Sequence, residues 1–296
     1  MRLAVFTKNR SNPAYFAARL GADRAAAVFG DRVDHYVPET PDNAAQQSAL
    51  IDRALATAPD AFVLSPVHPS AVDAAVRRIR AAGLPVFAFV NPTQAMEMTT
   101  YVGADDTALA RRVAGHLFRR LGGRGRVLVL GGHRTSVTSQ DRLRGFAEAA
   151  TTKPGVELLE ILYGDYQRET AREAVASWLA KHAGDAPDGV LVANDIMALG
   201  VLEALDAAGA RALVVGVNAI PEAIAAIAAG RLLATADFNA QQMAYTATEC
   251  ACRHLRGEAV PRCIDLPVEL VDATNRHFWD QPYEARAVKP LAELNA

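Results

Sequence analysis

Short apolar runs alternate with amphipathic stretches rich in Ala and Arg along nearly the whole 296-residue chain. This alternation limits the possible folds more than any other feature of the sequence. Strands that alternate with helices build parallel sheets from βαβ units, and strands that are apolar throughout have helices on both faces. We therefore predict an α/β fold with doubly wound parallel sheets. The predicted strands are residues 3–7, 33–38, 61–66, 85–90, 100–105, 126–132, 156–165, 188–195, 212–218 and 232–238.

The predicted strands form two consecutive series of five, joined by a short segment near residues 101–106. Two such series predict two similar lobes. In open parallel sheets, ligands bind at the carboxyl ends of the strands. If the strand ends of two lobes face each other, they line a cleft from both sides. The residues that follow each strand are therefore the candidates for a binding site.

Amides, a few charged groups and flat aromatic rings follow the predicted strands. Each hydroxyl of a sugar donates one hydrogen bond and accepts two, so it pairs well with Asn, Gln, Asp and Arg. The apolar face of a sugar ring packs well on Tyr or Phe. The set therefore predicts a site for a neutral, polyhydroxylated ligand. The candidate ligand-binding residues are Lys8, Asn12, Tyr15, Phe16, Asn91, Gln140, Arg142, Tyr166, Asn194, Asn218, Asp237 and Phe238.

Asn194 and Asp195 stand between a predicted strand and a helix that is predicted to begin at Met197. Both residue types cap helices by accepting hydrogen bonds from backbone amides. We expect Asp195 to cap the helix and Asn194, which lies closer to the strand end, to bind ligand. Several other candidates also have structural interpretations. These are a turn for Asn12 and Asn218, core packing for Tyr15 and Phe16, and a hinge contact with backbone amides for Asp237.

Nothing in the sequence indicates catalysis, a cofactor or a metal ion. A dinucleotide-binding turn needs G-x-G-x-x-G directly after a strand, and both "LGGHRTS" and "LGGRGRV" depart from that pattern. We find no nucleophile–base–acid set and no metal-type spacing of Cys and His. The formal net charge of −2 and the pI near 6.4 give no reason to expect a nucleic acid partner. We therefore expect a binding protein and not an enzyme.

The location of the protein and the state of its cysteines are left open by the sequence. The segment "MRLAVFTKN" is too short for a secretory signal and is typical of a first strand. The protein is therefore either cytoplasmic or exported with its signal peptide removed. Cys250 and Cys252 lie two residues apart on a predicted helix and should not pair with each other. Either Cys252 forms a disulfide with Cys263, or the thiols are free.

Five longer stretches occur in a familiar order over most of residues 3–270. They are "TKNRSNPAYFAARLGAD", "PDAFVLSPVHPSAVDAAVRRIRAAGLPVFAFVN", "VTSQDRLRGF", "DGVLVANDIMALGVLEAL" and "VVGVNAIPEAIAAIAAGRLLATADF". They resemble the ribose-binding-protein branch of the type I periplasmic sugar-binding proteins, and the related core of the lactose-repressor family. The resemblance implies two lobes joined by a three-strand hinge, with a ligand cleft between them. It places the crossings near residues 102–105, 234–238 and 263–267. The implied lobes are residues 1–103 plus 238–264, and residues 104–237 plus 265–296.

The resemblance also assigns roles to individual residues. It implies a polar contact and stacking rings at Lys8, Asn12 and Tyr15, an arginine at Gln140 or Arg142, an aromatic cleft residue at Tyr166, an amide ligand at Asn194, and a usual aspartate at Asn218. Two positions depart from the family pattern: an Asp-Arg pair is replaced by Val90-Asn91, and Phe238 stands where a glutamine is common. Fewer carboxylates and more aromatic surface imply a ligand other than ribose. A different pentose, a deoxyhexose or a sugar alcohol would fit.

The functional expectation that follows is a monomeric, periplasmic solute-binding protein. It would capture a neutral monosaccharide or sugar alcohol and deliver it to a membrane-embedded ABC permease, without a cofactor. The alternative is the effector-binding core of a lactose-repressor-type regulator. Such a regulator needs a DNA-binding segment of roughly sixty residues, and none precedes Leu3.

Overall fold

The computed structural model describes residues 1–93 and 98–294. These residues form strands and helices that alternate along the chain. In order they are β1 (Arg2–Phe6), α1 (Pro13–Phe29), β2 (Arg32–Tyr36), α2 (Ala44–Leu55), β3 (Ala61–Leu64), α3 (Asp73–Ala81), β4 (Val86–Phe89), β5 (Thr100–Gly103), α4 (Asp106–Arg120), β6 (Arg124–Gly131), α5 (Val137–Thr151), β7 (Gly155–Tyr163), α6 (Arg168–Lys181), β8 (Gly189–Val192), α7 (Asp195–Ala207), β9 (Leu213–Val215), α8 (Pro221–Ala228), β10 (Ala234–Asp237), α9 (Ala240–His254), β11 (Cys263–Asp265), β12 (Glu269–Asp272), a short 3₁₀ helix (Arg276–Phe278) and α10 (Leu291–Leu294).

All ten predicted strands are confirmed, and each ends earlier than predicted. The largest differences are at β8, expected over residues 188–195 and observed over Gly189–Val192, and at β9, expected over residues 212–218 and observed over Leu213–Val215. The polar residues after the strand already belong to the loop or to the next helix. Because such residues hydrogen-bond to nearby backbone amides, they favour turns and helix caps over the sheet.

The chain divides into two compact units, the first of which comprises residues 1–104, 239–267 and 283–296. Its six strands are parallel and lie in the order β11-β5-β4-β3-β1-β2. Fully buried aromatic and aliphatic side chains, among them Phe6, Phe62 and Ile79, pack between the sheet and its helices. Apolar burial of this kind is the main favourable term in folding.

The second unit comprises residues 105–238 and 268–282. Its strands lie in the order β12-β10-β9-β8-β6-β7, and all pairs are parallel except β10 with β12. Leu128, Val190 and Trp178 belong to its core. The α/β fold with two parallel-sheet lobes is thus confirmed, and the antiparallel strand β12 is an addition that the sequence did not indicate.

The C-terminal segment differs from the expected division of the chain. Residues 283–296 belong to the first unit, whereas the resemblance placed them in the second lobe. The chain therefore passes between the units near residues 104, 238, 267 and 282, once more than expected. Helix α9 holds the segment, because Gln242 Nε2 donates to Lys289 O at 2.8 Å, Lys289 N donates to Gln242 Oε1 at 2.7 Å, and Leu291 N donates to Glu249 Oε2 at 2.8 Å.

The cysteines are free thiols. Cys250 and Cys252 are buried in α9, and Cys263 is exposed on β11. Burial raises the pKa of the Cys250 thiol to about 12 and raises that of Cys252 as well, so both remain protonated near neutral pH. In the part of the chain that the structure describes, no helix is long and apolar enough to cross a membrane.

Candidate functional site

At the carboxyl end of the first sheet, a lysine and an amide meet across the end of a strand. Lys8 follows β1 and Asn91 follows β4, and β3 lies between these two strands. The Lys8 ammonium group donates to Asn91 Oδ1, and both residues are buried. Ser65 follows β3. Its buried hydroxyl has no hydrogen-bond partner among the described residues, so it joins the site as a residue that was not predicted. A polar residue directly after the apolar strand, in "VLSP", is the signal that could have identified it.

The first turn of α1 contributes one amide and two rings to the same edge. Asn12 caps the helix, and its Oδ1 accepts from Ala14 N at 3.0 Å. Tyr15 is buried, whereas Phe16 is 45% exposed, with its ring centroid 6.5 Å from that of Tyr283. Phe16 is therefore the accessible ring of this turn, and Tyr15 belongs to the core.

In the second unit, Arg142 is held in one orientation by several contacts. Its Nε donates to Asp106 Oδ1 at 2.7 Å, and one terminal nitrogen donates to Ala193 O at 2.6 Å. The guanidinium group lies 5.3 Å from the centre of the Phe238 ring. The Arg142 and Asp106 side chains are only 3% and 12% exposed. The ion pair is therefore largely buried and held in one geometry, unlike a mobile surface salt bridge.

The structure corrects the expected roles of Asn194 and Asp195. Asn194 is the residue that caps α7: its Oδ1 accepts from Met197 N at 3.0 Å. Asp195 is the first residue of the helix, so the prediction that it caps the helix was wrong. Asn194 is 1% exposed, and its Nδ2 has no hydrogen-bond partner within the described residues. The Asn194 side-chain oxygen therefore caps the helix, and its Nδ2 is a buried hydrogen-bond donor at the carboxyl end of β8.

Asn218 follows β9, the strand adjacent to β8. Its backbone has φ of 125°, and the next residue, Ala219, has φ of 50°. Asn218 is 6% exposed, and its Oδ1 finds no hydrogen-bond partner in residues 1–93 and 98–294. Adjacent strands lie about 4.8 Å apart. A buried donor on Asn194 and a buried acceptor on Asn218 therefore lie at neighbouring strand ends.

Asp195, next to Asn194 in the chain, is fully buried. Its Oδ1 accepts from Thr235 Oγ1 at 2.7 Å, and its Oδ2 accepts from Ile220 N at 3.1 Å. Burial raises the pKa of the Asp195 carboxyl to about 7, although both hydrogen bonds and the charge of Arg142 oppose the shift. The carboxyl group is therefore close to its protonation midpoint at neutral pH.

Gln140 and Tyr166 lie near this edge in different surroundings. Gln140 is exposed, and its Nε2 donates to Arg134 O at 3.0 Å, so Arg142 is the better match for the arginine of the resemblance. Tyr166 has φ of 58°, and its ring meets His133 edge-on at 5.8 Å. The left-handed turn after β7 thus holds an aromatic ring at the strand ends.

Asp237 lies at the end of β10, and its carboxylate has a structural partner. Trp279 Nε1 donates to Asp237 Oδ2 at 2.7 Å, which ties the segment after β12 to the sheet. The adjoining Phe238 is buried. The Phe238 ring lies against Arg142, whereas the Asp237 carboxylate accepts the hydrogen bond from Trp279 within the second unit.

The chemistry of these two edges is that of hydrogen bonding and ring packing. Amides, a hydroxyl, a lysine and an arginine offer both donors and acceptors. Phe16 and Tyr166 have accessible ring surface, and Phe238 is a buried ring next to Arg142. Across residues 1–93 and 98–294, no three His, Cys, Asp or Glu side chains come together as a metal site.

Comparison with known proteins adds the family context. The family described as "Periplasmic binding protein domain" matches residues 3–259. The ribose import binding protein of Bacillus subtilis is 27% identical over 270 residues, which is 90% of this chain and 85% of that protein. The D-ribose/D-allose-binding protein of Pseudomonas aeruginosa is 28% identical over 289 residues, which is 92% of this chain and 89% of that protein. An ABC transporter solute-binding protein from Mycobacterium smegmatis, solved with bound glycerol, superposes with a TM-score of 0.88 at 27% identity, over 96% of this chain and 98% of that one.

Proposed function

The chain belongs to the periplasmic binding protein domain family, and from that premise we propose that it is the solute-binding component of an ABC importer. It binds a neutral monosaccharide or sugar alcohol and does not transform it. The relatives named above carry import-binding or solute-binding names, which favours this function over the regulator core considered from the sequence.

One observation carries the proposal: Asn194 Nδ2 and Asn218 Oδ1 are buried at adjacent strand ends and have no partners among the described residues. A buried polar group without a hydrogen bond is unfavourable by about 1–3 kcal/mol, so such groups are expected to be satisfied in the working state. A ligand hydroxyl can accept from Asn194 and donate to Asn218 at once. Polyhydroxylated molecules are the ligands that match this alternation of donor and acceptor.

The remaining candidates refine the class of ligand. Arg142 is already paired with the Asp106 carboxylate, so it acts as an oriented donor to neutral oxygens and not as a counterion for an acidic ligand. Lys8 donates to the neutral amide of Asn91 and would offer N–H groups to ligand hydroxyls. Phe16 and Phe238 supply ring surface for the apolar face of a pyranose or cyclic polyol. These features support a ligand other than ribose.

The proposal extends to the setting of the protein. The protein would be a periplasmic monomer, and its loaded form would dock on a membrane-embedded ABC permease. No catalytic role is assigned to any residue.

A thermal-shift screen tests the proposed function. The panel would contain D-ribose, D-allose, xylitol, glycerol and myo-inositol, with D-gluconate as an acidic control. A ligand that binds only the folded state raises the melting temperature, so at least one neutral compound should do so and gluconate should not. The compound should be recovered chemically unchanged after incubation. A shift with gluconate alone, or recovery of an altered compound, would contradict the proposal.

A further inference from the structure

We propose that Asp195 is a positioning residue that fixes Asn218 at the binding site by anchoring the loop of residues 216–220. The inference rests on the proposed function in one respect, since it takes Asn218 as a ligand-binding residue. It goes beyond that function because Asp195 contributes through the loop and not through contact with ligand.

The loop has a backbone that needs outside support. Asn218 and Ala219 are consecutive non-glycine residues with φ of 125° and 50°, values that such residues seldom adopt. Conformations of this kind persist where the surrounding structure fixes them. Within the described chain, the Oδ1 atom of Asn218 makes no hydrogen bond that would help to hold the loop.

The backbone N of Asn218 donates to Ala236 O at 2.8 Å, and Asp195 holds the residues on either side of it. The Asp195 backbone N donates to Val217 O at 2.7 Å, just before Asn218, and its Oδ2 accepts from Ile220 N at 3.1 Å, just after Ala219. Its other oxygen accepts from Thr235 Oγ1 at 2.7 Å, and that hydroxyl in turn accepts from Ala219 N at 3.3 Å. Both sides of Asn218 are therefore bonded to Asp195, directly or through one hydroxyl.

The absence of a side chain at Gly216 leaves space for the Asp195 carboxylate. A Cβ atom on Gly216 would lie 2.2 Å from Asp195 Oδ1, so any larger residue at that position would displace the side chain. The backbone of Asp195 is also fixed, because it is the first residue of α7 and directly follows the capping residue Asn194. The carboxylate thus joins a fixed helix start to the loop that presents Asn218.

A double-mutant cycle tests the proposal. The variants are Asp195→Ala, Asp195→Asn, Asn218→Ala and the double alanine variant. Asp188→Ala is the matched control, since the Asp188 carboxylate accepts from Arg126 N at 2.7 Å in the same unit, before β8 and away from the strand ends that carry Asn194 and Asn218. Affinity is measured by calorimetry with the neutral compound from the panel above that gives the largest thermal shift.

Asp195→Ala should weaken binding about tenfold or more. In the double variant, the affinity should be less than about twofold lower than in Asn218→Ala alone, because Asp195 affects binding through Asn218. Asp195→Asn should stay within about threefold of the wild type, since an amide can still accept from Ile220 N and donate to Thr235 Oγ1. The Asp188 control should bind normally. Wild-type affinity in folded Asp195→Ala, or losses that simply add, would overturn the proposal.

A second measurement does not depend on any ligand. In the ligand-free protein, hydrogen exchange at the Ala219 and Ile220 amides should be faster in Asp195→Ala than in Asp188→Ala, after correction for global stability. If the wild type binds no compound of the panel, the proposed function fails, and unchanged exchange at these amides would separately overturn the anchoring role. Should Asp195→Ala not fold, Thr235→Val takes its place, because it removes the hydroxyl that joins Asp195 to Ala219.

Discussion

The Asn194 side chain caps α7 through its oxygen and is proposed to bind ligand through its nitrogen. Two substitutions, to serine and to alanine, separate these roles. Serine can cap a helix about as well as asparagine, whereas alanine cannot, and the lost cap lowers stability by about 0.5–2 kcal/mol. Asn194→Ser should therefore unfold in urea close to the wild-type midpoint, and Asn194→Ala should unfold earlier. Both remove the Nδ2 donor, so both should weaken polyol binding by about 1–3 kcal/mol. Full affinity in the serine variant would exclude Nδ2 as a ligand contact.

The protonation of Asp195 predicts a dependence of stability on pH. Its pKa of about 7 in the folded protein lies above the usual value near 3.9 of an unfolded chain. A raised pKa means that this contribution to stability is complete below about pH 4 and is lost as the pH rises through 7. Arg142 and Asp237 are the charged groups that also act on it, the first lowering and the second raising the pKa.

Urea unfolding at pH 5, 6, 7 and 8 measures this effect. The stability of the wild type relative to Asp195→Asn should fall as the pH rises across this range, by at most about 1.4 kcal/mol per pH unit. The asparagine variant is the reference because it has no proton to lose. A difference between the two proteins that stays constant from pH 5 to 8 would show that Asp195 does not titrate there.

At the same scale, the sequence located the candidates but not all of their roles. Polar residues directly after apolar strands are the signal that predicts Asn91, Asn194 and Asn218 as ligand-binding candidates. The choice between Asn194 and Asp195 as cap could not be made locally, because both residue types cap well. It is decided by Ile220 and Thr235, which are 25 and 40 residues further along the chain and occupy the Asp195 carboxylate.

Among the elements, close helix pairs depend on glycine. Helix α1 packs on α9, and α6 packs on α7. A Cβ atom on Gly21 would lie 2.1 Å from Gln241 O, and one on Gly200 would lie 2.2 Å from Arg168 O. Gly21→Ala and Gly200→Ala should each lower the free energy of unfolding by about 1–3 kcal/mol, since the helices must move apart.

Gly115→Ala is the control for these two variants. Gly115 lies inside α4, and the nearest atom to an added Cβ is the flexible end of Arg119 at 3.6 Å. Alanine there should raise stability by about 0.4–1 kcal/mol, because it restricts the unfolded chain and favours the helix. Urea unfolding measures all three variants. A gain in stability at Gly21 or Gly200 would show that the helix pairs are less tightly packed than described.

The alternation of strands and helices was sufficient to predict the layered α/β architecture, because that pattern is local. Two features could not be predicted in this way. Strand β12 has four residues and pairs with β10, 32 to 38 positions earlier, and the segment after residue 283 is held by side chains of α9. Both depend on contacts between distant parts of the chain, which periodicity does not encode.

For the whole molecule, the proposal predicts a change of shape on binding. Periplasmic binding proteins are a general example of hinge closure around a ligand, and a ligand that binds a closed form more tightly than an open form shifts the population by that difference in affinity. Small-angle scattering should give a smaller radius of gyration with saturating ligand than without it. An unchanged radius at saturation would argue against closure on binding.

The most direct test of the central claim is calorimetric titration of three proteins with the best compound of the panel. They are the wild type, Asn91→Ala from the first unit and Asn194→Ser from the second. We expect a single site in the wild type and an affinity that falls at least about fivefold in each variant, as expected when a buried hydroxyl loses a partner. Saturable binding in the wild type that neither variant weakens would contradict it.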